Sequence, residues 1–200
     1  ALGTAHVITL VKDLIKPGEA QLFNFCDPLF KKDLSCIKDL SEHDGIIFVQ
    51  EVEDYQRFGV VVHKDRIMTQ IVEKPDKPIS KLANIGTYYI KDGPEFIRYA
   101  SKVVEEDRRV KGELYLTEAF SMMIKDGKKL WVEDIEKWLD VGKIETLLET
   151  NAQILNGEVY KGYDVIIEDS TIGKNVSIGN NSVLRDCKVK NSIIGENTTL

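Results

Sequence analysis

The alternation of apolar and polar positions in the first 60 residues predicts an α/β domain. Residues 22–25 form a short, largely apolar run, typical of a strand buried on both faces of a parallel sheet. The pattern predicts a helix near residues 29–40 and a strand at 46–52. A strand, a helix and a strand at this spacing form a βαβ unit, so the predicted fold class is α/β with a Rossmann-like sheet.

Segments on either side extend this pattern. Apolar residues at helical spacing predict a first helix that ends at Pro17-Gly18; they are Val7, Ile8, Val11, Leu14 and Ile15. Further along, the pattern predicts a hairpin of 58–62 with 67–72, a strand at 82–90, helices at 94–106 and 116–125, a strand at 130–133 and a helix at 143–155. Gly127 and Gly157 are placed to end the last two helices.

From residue 166 the periodicity changes. Aliphatic residues recur at intervals of six, six, six, five, five and six positions: Ile166, Ile172, Ile178, Leu184, Val189, Ile194 and Leu200. Small or medium residues stand two positions before each of the last six, and Gly and Asn lie between them. This hexapeptide period predicts a parallel β-helix. We therefore divide the chain into an α/β domain, residues 1–157, and a β-helix domain, residues 158–200.

Composition excludes several classes of protein. The chain has 42% hydrophobic and 30% charged residues and a net charge of −6 without a basic cluster, which argues against a nucleic-acid partner. It has no run of eighteen apolar residues, and its first residues lack the charged and apolar regions of a secretory signal, so we expect no membrane partner. Three cysteines without a CxxC pair fit a reducing cytoplasm.

Two carboxylates leave apolar segments at the expected mouth of the sheet. Asp27 follows the strand predicted at 22–25, and Asp140 follows Trp138-Leu139. Each could instead be the N-cap of a following helix. Two acids at the carboxyl ends of strands in one sheet could share a divalent cation, and ligation by oxygen alone suits Mg²⁺ completed by substrate phosphates.

Seven ordered motifs carry a resemblance to a known family. They are ALGTAH, FNFCDPLF, RFGVVV, IVEKP, LANIGTYYI, GELYLTEAF and WLDVG. In this order and spacing, the chain resembles the sugar-1-phosphate nucleotidyltransferases (sugar-nucleotide pyrophosphorylases). The resemblance implies a catalytic domain followed by a left-handed β-helix. It also implies attack of a sugar-1-phosphate oxygen on the α-phosphate of a nucleoside triphosphate, with release of pyrophosphate.

The resemblance assigns roles to the charged candidates. Asp27 and Asp140 would be the Mg²⁺ ligands, and Lys74 would neutralise a phosphate. Cys26 stands where the family has a glycine, and the 200 residues contain no glycine-rich triphosphate loop of the family's kind. We therefore expect this stretch to begin inside the catalytic domain, to be cut short in its last coils and to lack full activity by itself.

The remaining candidates would bind the substrates. The segment that resembles the nucleotide-base contact consists of Leu2, Gly3, Thr4 and Ala5. Gly59, Glu73 and Asn84 match the sugar-binding positions, where a carboxylate accepts two hydroxyl hydrogens. Each has an ordinary alternative: a helix N-cap for the segment, a bulge for Gly59, a strand end for Glu73 and Lys74, and a turn or edge for Asn84.

The expected substrates are glucose-1-phosphate with dTTP or UTP. N-acetylglucosamine-1-phosphate with UTP is an alternative, and so is a non-catalytic paralogue that binds a sugar nucleotide. An acyltransferase is a weaker rival, because the three histidines (His6, His43 and His63) lie outside the repeats. The β-helix is expected to form a homo-oligomer.

Overall fold

A computed structural model describes residues 2–39 and 42–200, apart from the side chains of Asp39 and Asp140. The chain forms two compact units, Ala1–Trp138 and Leu139–Leu200. The contacts therefore divide the chain earlier than the boundary expected after residue 157. Within the described ranges, no helix combines the length and the apolar character needed to cross a bilayer.

The described part of the chain contains four α-helices and fifteen strands. The helices are α1 Thr4–Thr9, α2 Gly93–Glu105, α3 Leu116–Lys125 and α4 Ile144–Leu155. The first eight strands are β1 Gln21–Asn24, β2 Pro28–Lys31, β3 Gly45–Glu51, β4 Gly59–Lys64, β5 Ile67–Glu73, β6 Leu82–Ile90, β7 Leu130–Asp134 and β8 Lys137–Asp140. The others are β9 Val159–Lys161, β10 Ile166–Glu168, β11 Thr171–Ile172, β12 Val176–Ile178, β13 Val183–Arg185, β14 Lys188–Val189 and β15 Ser192–Ile194.

The first unit is built on a mixed six-stranded sheet in the order β1-β6-β3-β7-β5-β4. Strands β3 and β7 are parallel, and the other pairs are antiparallel. Strand β4 also meets β6, where Val60 faces Ala83. One face of the sheet buries the ring of Phe120 between Tyr88 and Phe96, at centroid distances of 4.8 and 5.0 Å. Ile46, Phe48, Ile85 and Ile135 are buried in a second cluster. The centre of the sheet is therefore covered on both sides, as the α/β prediction requires.

Two predictions near the start of the chain are wrong. The run at 22–25 is not a buried parallel strand, because β1 is an edge strand antiparallel to β6 and Leu22 is 50% exposed. The helix expected at 29–40 is replaced by β2 and a 3₁₀ helix, Leu34–Asp39. Pro28 is buried, Leu29 is exposed, and the Phe30 ring centroid lies 6.2 Å from that of Phe48. This alternation of inward and outward side chains has the two-residue period of a strand.

Other predicted elements are confirmed, with one shortened. Strand β6 and helix α3 have the expected bounds, and α2 and β3 lie within one residue of theirs. Helix α1 ends at Thr9, and a separate 3₁₀ helix, Lys12–Leu14, follows it. The hairpin of β4 and β5 turns at Asp65 and Arg66, whose φ angles of 51° and 67° are typical of a type I′ turn.

The second unit contains a parallel β-helix. Its strands pair in parallel as β9-β12-β15, β10-β13 and β11-β14, with partners 16 or 17 residues apart along the chain, for example Val159, Val176 and Ser192. Asn and Asp with φ between 46° and 56° turn the chain at the corners: Asp164, Asp169, Asn175, Asn181, Asp186, Asn191 and Asn197. Its core buries Val165, Val176, Ile178, Leu184 and Ile194.

The inward register differs from the prediction at both ends of the repeat. Ile166 is 47% exposed, because Val165 and Ile167 face inward in its place. Leu200 is also exposed. Helix α4 is bonded to the coils, since the Ser177 hydroxyl donates to Asn151 Oδ1 at 2.5 Å and Asn151 Nδ2 donates to the Asn175 carbonyl at 3.2 Å.

Asn175 connects the end of α4 to the β-helix. Its Oδ1 accepts from the Gly157 N–H at 2.8 Å, and its Nδ2 donates to Asn191 Oδ1 at 3.1 Å. Asn175→Ala should cost about 1 kcal/mol more free energy of unfolding than Asn197→Ala, because Asn197 makes one such bond, to Asn181, at the same φ. Urea unfolding followed by circular dichroism measures both, and equal losses would contradict the expectation.

Candidate functional site

Three predicted sugar-binding residues converge at one end of the β4–β5 hairpin. Gly59 and Glu73 are cross-strand partners, and the neighbouring Val60 faces Ala83, next to Asn84. A Cβ on Gly59 would lie 2.9 Å from Glu73 Oε2 and 3.7 Å from Asn84 Nδ2. The bulge in this hairpin falls at Val62/His63, so the bulge explanation for Gly59 is wrong.

Glu73 is a partly buried carboxylate with an altered acidity. Burial raises its pKa above the ordinary value of 4.5, and the Thr117 hydroxyl and the Lys74 ammonium oppose that shift. Thr117 is itself buried, and its Cγ2 would lie 2.8 Å from a Cβ on Gly59. Glu73 and Thr117 therefore fill the space that a side chain at residue 59 would need, and both lie against the Gly59 backbone.

Lys74 lies next to this space and remains positively charged. Its φ of 43° directs the chain out of β5, and its Nζ donates to the Tyr115 hydroxyl at 2.5 Å. The hydrogen bond to Tyr115 raises the pKa of Lys74 above its usual 10.5, although partial burial acts against it. A second cation, Lys111, is close in sequence to Tyr115, and its Nζ lies 2.9 Å from Asp76 Oδ1.

The predicted nucleotide segment docks on the residues around Tyr115. The Ala5 N–H donates to the Leu114 carbonyl at 2.9 Å, and the Leu114 N–H donates to the Leu2 carbonyl at 3.0 Å. Gly3 has a φ of 105°, and a Cβ there would lie 2.4 Å from the Leu114 carbonyl oxygen, so the position requires glycine. The backbone of residues 2–5 therefore packs closely against the backbone of Leu114.

The side chains of this segment have unequal exposure. The Thr4 hydroxyl accepts from the Leu116 N–H at 2.9 Å, so it caps the start of α3 rather than its own helix, whose N-cap is Gly3. Ala5 is fully buried, whereas Leu2 is 47% exposed. Contact with a nucleotide base stays a prediction for all four residues.

Asp27 lies in the bend between β1 and β2, exposed to solvent. Since β2 follows it, the alternative of a helix N-cap is wrong. Burial raises the pKa of Tyr88, and the charges of Glu73 and Asp27 raise it further, so both carboxylates act on one side chain. Asp140 ends β8, its side chain lies outside the described residues, and α4 has Lys143 as its N-cap. A joint role for the two aspartates stays a prediction.

A cavity of about 370 Å³ lies elsewhere in the first unit and contains none of the predicted residues. Its charged lining is internally paired: Lys128 Nζ lies 2.5 Å from Glu95 Oε2 and 3.6 Å from Asp44 Oδ1. Asp92 Oδ1 accepts from the Glu95 N–H at the start of α2. These contacts give the side chains structural roles.

Comparison with known proteins identifies the family. Residues 1–157 match the family model described as nucleotidyl transferase. The chain belongs to the nucleotidyl transferase family. Its mixed sheet and β-helix accord with that membership, and the family predicted from the seven motifs is confirmed.

Two curated relatives and one solved structure illustrate the likeness. The low-salt glycan biosynthesis nucleotidyltransferase Agl11 of Haloferax volcanii is 29% identical over 182 residues, covering 88% of this chain and 49% of the relative. The bifunctional protein GlmU of Thermotoga petrophila is 28% identical over 227 residues, covering 96% of this chain and 50% of the relative. The nucleotidyl transferase chain thus spans about half the length of these curated relatives.

The solved structure comes from Bacillus anthracis and is described as a glucose-1-phosphate thymidylyltransferase in complex with a sucrose. It is 26% identical, with a TM-score of 0.63, and the match covers 76% of this chain and 61% of that one. The mixed α/β nucleotidyltransferase fold is therefore shared.

Sequence reasoning assigned no role to three residues that the structure places at the site. Tyr115 bonds Lys74, Thr117 borders Gly59, and Tyr88 accepts from Asn84 Nδ2 at 2.6 Å. All three belong to the motifs LANIGTYYI and GELYLTEAF. The motifs were therefore the available signal, but the side-chain partners depend on strand register and on the start of α3.

The raised pKa of Glu73 predicts a pH dependence of stability. Between 4.5 and the raised pKa, the folded state keeps a proton that the unfolded state has lost. Stability of the wild type should therefore fall as pH rises through this interval, relative to Glu73→Gln, by about 1.4 kcal/mol for each pH unit that the interval spans. Urea unfolding at a series of pH values measures the difference.

The exposed Glu105→Gln variant controls for the loss of one carboxylate. Lys74, Glu113 and Lys111 also act on Glu73, so all comparisons should use the same salt concentration. A flat difference between wild type and Glu73→Gln would show that burial of Glu73 has no energetic effect.

Proposed function

We propose that this chain carries the sugar-phosphate half of a nucleotidyl transfer site, which joins a nucleoside triphosphate to a sugar-1-phosphate and releases pyrophosphate. The observation that carries the proposal is the convergence of Gly59, Glu73 and Asn84 at one end of the hairpin, where Lys74 follows Glu73. Membership of the nucleotidyl transferase family supports it.

Each of these groups suits a different part of a sugar phosphate. The absence of a side chain at Gly59 lets Glu73 lie against the backbone there, and an ionised Glu73 accepts hydrogens from sugar hydroxyls. The Lys74 ammonium, bonded to the neutral Tyr115 hydroxyl, supplies positive charge for the phosphate. Transfer of a nucleotidyl group needs alignment and charge stabilisation more than covalent chemistry from the protein.

Asp27 is the proposed Mg²⁺ ligand of the first unit, and Asp140 stays a ligand expected from the sequence alone. The Asp27 carboxylate is exposed, and it makes no hydrogen bond or ion pair within residues 2–39 and 42–200. The same ranges contain no cluster of three or more His, Cys, Asp or Glu suited to a metal. Mg²⁺ commonly uses one or two carboxylates with substrate phosphates, so this donor set fits. When bound, the ion would neutralise phosphate charge.

The proposed substrates are glucose-1-phosphate with dTTP or UTP, and the name of the Bacillus anthracis structure supports the first pair. N-acetylglucosamine-1-phosphate with UTP is the second candidate, favoured by the likeness to GlmU. We further propose a cytoplasmic location, a homo-oligomer formed through the β-helix and no nucleic-acid or membrane partner. A non-catalytic paralogue would bind the sugar nucleotide without turnover.

Pyrophosphate release tests the proposal. The chain, and the chain extended at its N-terminus by the matching segment of a relative, are mixed with each sugar-1-phosphate and each triphosphate, with Mg²⁺ or with chelator. We expect release that depends on Mg²⁺, at least in the extended protein, and a loss of about 100-fold or more in Asp27→Asn, since removal of one charge-stabilising group typically costs 10²–10³ in rate.

Asp65→Asn is the matched control, because it is an isosteric change at the opposite end of the β4–β5 hairpin. Its rate should equal that of the wild type. Sugar-nucleotide binding without pyrophosphate release in both proteins would favour the paralogue, and an unchanged rate in Asp27→Asn would remove Asp27 from the mechanism.

A further inference from the structure

The Asn84 amide is held at both of its ends. The Gly86 N–H lies 2.8 Å from Asn84 Oδ1, and Asn84 Nδ2 lies 2.6 Å from the Tyr88 hydroxyl. A backbone N–H can only donate, so the atom facing Gly86 must be the amide oxygen. The hydrogen-bond network therefore fixes which end of the amide is the donor, and that end faces Tyr88 and Gly59.

Both partners of this amide are rigid. Tyr88 is 1% exposed, and its ring packs edge-on against Phe25 at 5.9 Å and against Phe120 at 4.8 Å. Gly86 has a φ of 80°, its carbonyl accepts from the Phe25 N–H, and a Cβ there would lie 2.7 Å from the Phe25 ring. Neither partner can move without disturbing the core, so the orientation of Asn84 is built into the fold.

A donor and an acceptor consequently lie beside the Gly59 backbone. One hydrogen of Asn84 Nδ2 is used by Tyr88, and the second is available to a ligand. Glu73 Oε2 and Asn84 Nδ2 both lie within 4 Å of the position that a Cβ on Gly59 would occupy. A hydroxyl group can donate a hydrogen bond to Glu73 and accept one from Asn84. A carbonyl group can only accept, so it could bind Asn84 but not Glu73.

We propose that Tyr88 is a positioning residue, which holds the Asn84 amide as a donor so that Asn84 and Glu73 together bind one sugar hydroxyl. The inference rests on the proposed function for the identity of the ligand. The orientation of the amide itself rests on the contacts of Gly86 and Tyr88. Tyr88 has no direct contact with substrate in this arrangement.

Tyr88→Phe tests the positioning role, because it keeps the ring against Phe25 and Phe120 and removes the hydroxyl. In wild-type protein, the Asn84 side-chain ¹⁵N–¹H signals should show one amide hydrogen protected from solvent exchange, and Tyr88→Phe should lose that protection. Affinity for glucose-1-phosphate or N-acetylglucosamine-1-phosphate, measured by calorimetry on the 200-residue chain, should fall about 5- to 10-fold, as expected for one lost hydrogen bond.

Tyr99→Phe is the matched control, since Tyr99 is equally buried and donates its hydroxyl to Asp126 at 2.7 Å, away from Asn84. It should change neither the Asn84 signals nor the affinity. Deoxy analogues of the sugar phosphate identify the hydroxyl: the deletion that costs the wild type most affinity should cost Tyr88→Phe less.

Each result decides between the two hypotheses. Unchanged Asn84 signals or unchanged affinity in Tyr88→Phe would overturn the positioning role while leaving the proposed function in place. A wild-type chain that binds neither sugar-1-phosphate would overturn the proposed function for this chain and the hydroxyl assignment with it, even where the amide protection is observed.

Discussion

The pairing of Gly59 with Glu73 across the β4–β5 hairpin is the constraint on which the candidate site depends. It sets a residue without a side chain opposite a long carboxylate on the same face of the sheet, and it brings both beside Asn84. The turn at Asp65 and Arg66 holds this register. A slip of one residue would turn Glu73 to the other face and separate the three groups.

The charge of Lys74, at this end of the hairpin, is opposite in sign to the net charge of the whole protein. The chain carries a net charge of −6, so its overall field repels a phosphorylated ligand. Lys74 supplies a local positive charge, and its hydrogen-bond partner, Tyr115, is neutral. Glu73 is partly desolvated beside it, which disfavours its charged form. The site therefore combines a destabilised carboxylate anion with a stabilised ammonium cation.

Sequence reasoning succeeded where one local signal dominated. The amphipathic pattern of α2 and α3 and the length of β6 were readable because each pattern extends over nine residues or more. It failed at residues 22–40, where short apolar runs do not distinguish an edge strand from a buried one, or a strand from a helix. The secondary structure and burial of that segment depend on its position in the sheet, which is a property of the assembled fold.

The candidate site shows the same division. Gly59, Glu73, Lys74 and Asn84 were named from motifs, and the structure brings them together at the end of one hairpin. The partners that orient them, Tyr88 and Tyr115, could not be named, because their contacts depend on how the strands and the start of α3 pack in the folded chain. In the β-helix, a pattern starting at Ile166 misplaced the first inward residue, since Val165 and Ile167, on either side of it, pack in the core instead.

The attachment of α4 to the coils through Asn151 and Asn175 has a consequence for anyone who separates the two units. A cut placed by composition, after residue 157, would strip the coils of their helix and leave the Ser177 hydroxyl and the Asn175 carbonyl without those partners. A cut between Trp138 and Leu139 carries helix and coils away as one piece. A chimera of two relatives should therefore take α4 and the coils from the same parent. A chimera that takes them from different parents would lose the hydrogen bonds between them and leave polar groups without those partners.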